Sequence, residues 1–299
     1  MRAWTTARWA IPLPEGHRFP MAKYAMIAES VVARGLVSRE ELGEPERAAR
    51  ESLTRVHEAR YVDAVLDNGL TPLELRRLGF PWRPELPERS LRTVQGTIEA
   101  TRDALATGTG LNLAGGTHHA FPGHGEGFCV FNDVAIAIRT LQAEGWITRA
   151  AIVDLDVHQG NGTARIFADD PDVFTFSMHG ERNYPFRKER SRLDVELPDG
   201  VEDGEYLGLL AAHLEPVLDQ ARPELVVYIA GADPYRHDRL GRLALSIDGL
   251  GRRDALVFDA CRRRSLPVAV VLGGGYASDL GDVVSIHTNT IARLGVCHA

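Results

Sequence analysis

The chain has 299 residues, 44% hydrophobic and 25% charged, with a formal net charge of −7. That composition excludes a disordered polymer, a fibrous repeat and a disulfide-stapled mini-protein, and the negative balance argues against a nucleic-acid partner. No apolar run approaches the roughly 20 residues a membrane helix needs, and the first 16 residues hold no apolar block of the secretory kind, so a cytoplasmic chain without membrane attachment is expected.

The first hundred residues read as helical and irregular. Apolar residues recur at helical spacing over 21–36, entered through Pro20, and again over 56–66 and 90–105. Between them, 80–87 carries three prolines and one tryptophan, which predicts a rigid surface loop. After Gly110 the character changes. Short apolar runs at 111–114, 150–155, 173–177, 225–230 and 268–272 predict buried strands, and the stretches 131–144, 203–220, 249–264 and 282–294 predict helices. Strands without alternating polarity, each followed by a helix, indicate a parallel sheet flanked by helices on both faces. No linker, repeat or low-complexity tract interrupts the pattern, so one α/β domain over 1–299 is expected. Cys129, Cys261 and Cys297 are far apart and lack a CxxC pair, and they read as reduced thiols.

In such sheets ligands gather beyond the carboxyl ends of the strands. Reactive side chains concentrate there in this chain. Asp156 and His158 are two apart at a strand terminus, where extended geometry would turn both to one side. With Asp233 from another strand end they make a three-ligand set of the catalytic zinc type. Taken alone, Asp156 would equally serve as a cap for a helix opening near Gly160. Asp154 weighs against that simpler role, because three ionisable groups within five residues of an apolar strand are costly without a cation. His118 and His119 follow two glycines. Beside a metal-activated water, one would be a general base and the other an acid or electrostatic aid. A hydrogen-bonding partner behind each imidazole would fix its tautomer, and Asp154 and Asn161 are the candidates. Asn161 alone would be an ordinary turn residue. Tyr276 follows three glycines and could aim its hydroxyl at an oxyanion, or simply pack at a strand end. Phe128, preceded by Gly127, and Tyr184, before Pro185, are candidate walls of a narrow channel.

Four stretches, GGTHHAFPGHGEGFCVFND (115–133), VDLDVHQGNGT (153–163), AGADPYRHDRLGRL (230–243) and LGGGY (272–276), together resemble the zinc-dependent histone deacetylase family. That family includes acetylpolyamine amidohydrolases and acetoin-utilisation proteins, and it shares a fold with arginase. The stretches run in the family's order over the C-terminal two-thirds; GHRFPMAKY (16–24) matches more loosely. The Gln159-Gly160-Asn161 form is most similar to class IV deacetylases and their bacterial relatives.

The resemblance implies roles. Asp156, His158 and Asp233 would hold one zinc. His118 and His119 would be the catalytic pair, with Asp154 and Asn161 behind them. Tyr276 would polarise the amide carbonyl. Gly127, Phe128, Tyr184 and Gly274 would line the channel. A structural potassium or sodium ion would be held by the side chains of Asp154, Asp156 and Ser177, with backbone carbonyls of Asp154, His158 and Met178. The substrates implied are acylated lysine side chains, acylated polyamines or small acyl-amines.

Asn161 departs from the family, many of whose members place an Asp there, which leaves the proton shuttle less defined than the ligand set. The arginase pattern has Asp at the positions of Gly160 and Gly231, so a second metal lacks its ligands here. An inactive acyl-lysine reader would have lost a catalytic group, and none is missing. Thr117 stands where relatives often carry a larger apolar residue, so acyl groups longer than acetyl are expected to fit at the inner end of the channel.

Overall fold

The computed structural model of the protein describes residues 1–296. In chain order its elements are β1 (Ala3–Trp4), α1 (Lys23–Ala33), β2 (Leu42–Gly43), α2 (Arg50–Thr54), α3 (Ala59–Leu66), α4 (Pro72–Leu78), α5 (Glu85–Thr107), β3 (Thr109–Asn112), α6 (Asp133–Ala143), β4 (Ala150–Asp154), α7 (Asn161–Ile166), β5 (Val173–Gly180), β6 (Leu193–Leu197), α8 (Asp203–Ala221), β7 (Leu225–Ile229), α9 (Ile247–Arg263), β8 (Val268–Val271) and α10 (Leu280–Val296). The strands form one sheet in the order β2-β1-β3-β8-β7-β4-β5-β6, and every neighbouring pair is parallel.

The lack of polar alternation in the strands follows from the packing. Ala151, Val153, Val226, Tyr228, Val268 and Val270 join side chains of α1, α8, α9 and α10 in one core. Their neighbours Ala150, Ile152, Val227, Ile229, Ala269 and Val271 enter a second core with Ala104 of α5 and Val134 and Ile138 of α6. Both faces are therefore apolar, and each large side chain so buried contributes ~1.5–3 kcal/mol. A third cluster, around Leu53, Tyr61, Val65, Leu86 and Phe131, seats the N-terminal helices.

The segment 80–87 is not a surface loop. Phe80 and Leu86 are buried, and α5 opens at Glu85 with Pro87 in its first turn. A proline costs no hydrogen bond there, because first-turn N–H groups have no helical partner. Asp156 and His158 are not in extended backbone either, since β4 ends at Asp154 and the chain bends through 156–158. Cys129 and Cys261 are buried, while Cys297 lies outside the described residues.

One buried ion pair holds the strand ends together. Arg253 of α9, fully buried, donates Nη1 to the carbonyls of Leu155 (3.2 Å) and Gly231 (2.6 Å), and Nε to Asp254 (2.9 Å). The guanidinium thereby ties the exits of β4 and β7, which carry Asp156 and Asp233. Truncating one member of such a pair costs about 3–5 kcal/mol, because the other is left charged and buried.

Candidate active site

Five strand ends, those of β3, β4, β5, β7 and β8, meet at one edge of the sheet. Asp156, His158 and Asp233 converge there, all buried, with one potential ligand atom from each within 4.8 Å of the others. The bend after β4 is built on three carboxylates, two of its own and one from the exit of β7. Asp156 Oδ1 accepts from His158 N (2.9 Å), Asp154 Oδ1 from Asp156 N (3.2 Å) and Asp233 Oδ1 from Val157 N (3.0 Å). Asp156 does not cap α7: its Oδ1 bonds His158, and no side-chain cap closes that helix at Gly160.

His158 Nδ1 faces Asp156 Oδ1 at 2.9 Å and Asp233 Oδ2 at 3.2 Å, the second contact out of line for a hydrogen bond, so that Asp233 Oδ2 is buried without a partner. Burial and the Asp156 charge push the Asp233 carboxyl up to about 6. For His158 burial pulls down, but the two carboxylates outweigh it and lift the imidazole to about 10. Two carboxylates and an imidazole crowding one point, one oxygen orphaned, fit a divalent cation of the zinc type. Among the described residues this is the one such group. A second-metal ligand has no room at Gly231, where a Cβ would meet Asp156 Cα at 2.5 Å. Gly274, at φ +56°, backs directly on the Asp233 carboxylate.

The histidine pair sits beside this group, the two rings 4.2 Å apart. His118 Nδ1 bonds Asp154 Oδ2 at 2.7 Å. Burial opposes its charge, but Asp154 prevails and raises it to about 9. His119 Nδ1 bonds Asn161 Oδ1 at 2.7 Å, and Asn161 Nδ2 donates to Glu126 Oε1 at 2.7 Å. The carboxylate fixes the amide's orientation, so its oxygen faces the imidazole and His119 must carry its proton on Nδ1. Burial and the neighbouring His118 and His158 charges hold His119 well below the usual imidazole range. Its Nε2 is therefore a free base.

Tyr276 completes the group. Burial, then the Asp233 and Asp156 charges, push its phenol far above the usual range, so the hydroxyl stays a donor. Asp238 Oδ2 accepts its backbone N–H (2.6 Å) and Arg239 Nε donates to its carbonyl (2.8 Å). His119, His158, Tyr276, Gly127, Phe128 and Tyr184 line a cavity of about 770 Å³ that opens to solvent. A Cβ on Gly127 would meet His119 Cδ2 at 2.7 Å, so only glycine fits between channel wall and imidazole.

Thr117 does not line this cavity. Its hydroxyl lies 2.5 Å from both the Phe131 carbonyl and Asp133 Oδ1, and it borders a second cavity of about 50 Å³ with Phe19, Met21, Tyr24 and Phe128. Asp154 and Ser177 are register partners on β4 and β5, which sets their side chains side by side, with Asp156, His158 and Met178 adjoining. Ser177 Oγ is 2.9 Å from His179 Nδ1.

Several residues escaped the reading of the sequence. Asp133, fully buried, accepts from Gly116 N, Thr117 N, Thr117 Oγ1 and Thr97 Oγ1, and so pins the turn that carries the histidine pair. Lys23, also buried, donates Nζ to the Gly274 carbonyl and stands 5.3 Å from the centre of the Tyr276 ring. Glu126, within the stretch 115–133, holds the Asn161 amide, a role that no local sequence signal marks.

Comparison with known proteins agrees with this geometry. A family described as histone deacetylase domain matches residues 17–291. An uncharacterized protein of Picosynechococcus sp. is 50% identical over 280 residues, covering 94% of this chain and 93% of that protein. Histone deacetylase 2 of Arabidopsis thaliana is 30% identical over 94% of this chain and 75% of its own length. A histone deacetylase-like amidohydrolase of Pseudomonas aeruginosa is 30% identical over 89% and 74%. Among solved structures, a histone deacetylase homologue from Aquifex aeolicus superposes with a TM-score of 0.85 at 24% identity, over 99% of this chain and 84% of that one.

Proposed function

The chain belongs to the histone deacetylase family, and from that premise we propose that it is a zinc-dependent amidohydrolase that removes acyl groups from acylated amines, acyl-lysine in proteins foremost. The observation that carries this reading is the convergence of Asp156, His158 and Asp233 beside His119 and Tyr276 at one open cavity. Residues 1–299 are then one catalytic domain acting in the cytoplasm; no helix of the described residues is long and apolar enough to cross a membrane. A structural potassium or sodium ion beside Asp154, Asp156 and Ser177 is part of the same reading.

Zinc held by Asp156, His158 and Asp233 would supply a Lewis acid and acidify a water. His119 Nε2 takes the proton of the attacking water, while Asn161 holds the ring by its other nitrogen. The Tyr276 hydroxyl donates to the acyl oxygen as negative charge develops there. His118, kept cationic by Asp154, offsets that charge, and the pair returns a proton to the leaving amine as the C–N bond breaks. General-base catalysis of this kind is worth about 10²–10⁴-fold, and the oxyanion contacts must supply much of the rest.

An acylated polyamine or other small acyl-amine is the alternative substrate for the same chemistry. The test is a panel of acyl-lysine peptides and acylpolyamines, assayed with metal-free and zinc-loaded enzyme alongside metal analysis. One zinc per chain and zinc-dependent hydrolysis are expected. Two divalent metals per chain, or no hydrolysis of any amide, would overturn the proposal.

A further inference from the structure

The opening of the catalytic cavity is ringed by six arginines, Arg18, Arg76, Arg77, Arg182, Arg239 and Arg242, and no carboxylate lines it. All six are exposed. They come from four separate stretches of chain, which the fold brings to one opening. The chain as a whole has 34 basic and 41 acidic residues. A lining of six arginines and no Asp or Glu is thus a local concentration against the overall balance. Arg182 meets Glu181 and Arg242 meets Asp199, each at 3.2 Å on the surface, where such pairs are weak and exchange partners readily. Arg239 keeps one nitrogen on the Tyr276 carbonyl. Arg18, Arg76 and Arg77 form no ion pair among the described residues. Arginine is also the side chain whose planar fork suits carboxylates. Phe186, 87% exposed at the same rim, adds an apolar contact.

We infer that the substrate is an acyl-lysine set in an acidic stretch of polypeptide, with carboxylates on both sides of the modified residue. The inference rests on the amidohydrolase reading above and narrows its substrate. A cleft of one sign of charge focuses the field and raises the encounter rate of the opposite charge about 10- to 10³-fold. A polyamine or a lysine-rich tail would bring its own cations against the ring. A small amine with a single carboxylate would engage one side of it only, and four stretches of arginine call for an extended ligand.

The test uses acetyl-lysine peptides of equal length, flanked by Asp and Glu, by Gln and Ala, or by Lys and Arg, with acetylputrescine and one small carboxylated acyl-amine beside them. At low salt kcat/KM should fall roughly tenfold or more from acidic to neutral peptide and again to basic, mostly through KM, and the spread should shrink at about 0.5 M salt. Within the double variant Arg76→Glu/Arg77→Glu, the ratio of acidic to basic peptide should collapse or invert. A basic peptide or acetylputrescine hydrolysed as well as the acidic peptide would overturn the inference, as would a ratio unmoved by charge reversal. A small carboxylated amine matching the acidic peptide would overturn its polypeptide part. Strong inhibition by an oligonucleotide, with no preference among peptides, would also overturn it. Binding of the same peptides, read by fluorescence anisotropy and its salt dependence, separates the two proposals. Preferential binding of the acidic peptide without hydrolysis keeps the ring and discards the amidohydrolase; hydrolysis without preference does the reverse.

Discussion

Replacing Asn161 with Asp restores the carboxylate that many relatives carry, and the structure says what it would meet. Asn161 stands between His119 and Glu126, at 2.7 Å from each. In the variant Asn161→Asp, a carboxylate oxygen takes the place of the Nδ2 that donates to Glu126. Glu126 is partly buried, which raises its carboxyl, yet bonds from His124, Asn161 and Tyr184 bring it below the ordinary range, so the wild-type group is ionised. Two ionised carboxylates with charge centres about 4 Å apart repel by about 4 kcal/mol at an effective dielectric of 20, or about 3 pKa units. The pair therefore keeps one proton until the pH nears or passes neutrality, and below that point it carries the single charge that Glu126 carries alone. Above it the second charge develops beside His119 and raises the basicity of that imidazole. The limb set by His119, well below the usual imidazole range, should keep its place, with an added ionisation near neutrality absent from the wild type. In the double variant Asn161→Asp/Glu126→Gln the new carboxylate has no rival, ionises at ordinary acidic pH and shifts the His119 limb to higher pH. The assay is a set of pH–rate profiles for the three proteins on one acyl-lysine peptide. Superimposable profiles would refute both the His119–Asn161–Glu126 chain and the assignment of His119 as base.

Asp156→Ala or His158→Ala should abolish activity and stoichiometric zinc, because two remaining ligands cannot close the site; metal analysis that finds one zinc per chain in either variant rejects the ligand set. Tyr276→Phe should lower kcat by roughly 10²–10³ with zinc content unchanged, and a loss below about threefold means the hydroxyl does not reach the acyl oxygen. An acyl chain longer than acetyl would have to pass Phe128, which lines both cavities, into the 50 Å³ space beside Thr117, so Thr117→Trp should fill that space and narrow the enzyme towards acetyl. The ratio of acetyl to octanoyl kcat/KM checks this, and an unchanged ratio rejects Thr117 as a determinant of acyl length. His57 offers a stability test away from the chemistry. It is 2% exposed, bonds the Phe121 carbonyl through Nδ1 and accepts Asn132 N–H at Nε2, both at 2.9 Å, and burial lowers its pKa to about 4. It stays neutral when folded but titrates near 6.5 when unfolded. Its contribution is thus whole above pH 6.5 and lost as pH falls towards 4, by roughly 3 kcal/mol across the window. Urea midpoints of His57→Gln should lack that part of the acid slope; parallel curves for both proteins refute it.

What the sequence disclosed and what it withheld divide along a physical line. Parallel strands buried on both faces are continuous apolar runs, so β4, β5, β7 and β8 were legible, and the polar residues ending those runs announced the site. The two-residue strands β1 and β2 are too short for any period, and they join the sheet by parallel pairing beside β3. The capping box of α4, Thr71 with Glu74 and Pro72 at the first position, was a readable helix start that hydrophobic period did not flag, because the helix has seven residues. Two of the three ligands lie close together in sequence, since one strand end delivers both Asp156 and His158, and Asp233 ends another apolar run. Supporting residues do not. Lys23 reads as a charged residue near the start of α1, yet it is buried under a turn 251 positions away, where its ammonium holds the Gly274 carbonyl. The six arginines of the rim share that property, each an ordinary surface charge until four stretches of chain close around one opening. Chemistry confined to a strand end can be read from the sequence, whereas selectivity built from remote segments exists only once the chain has folded. The substrate's charge is for that reason a better probe of this fold than the identity of its metal ligands.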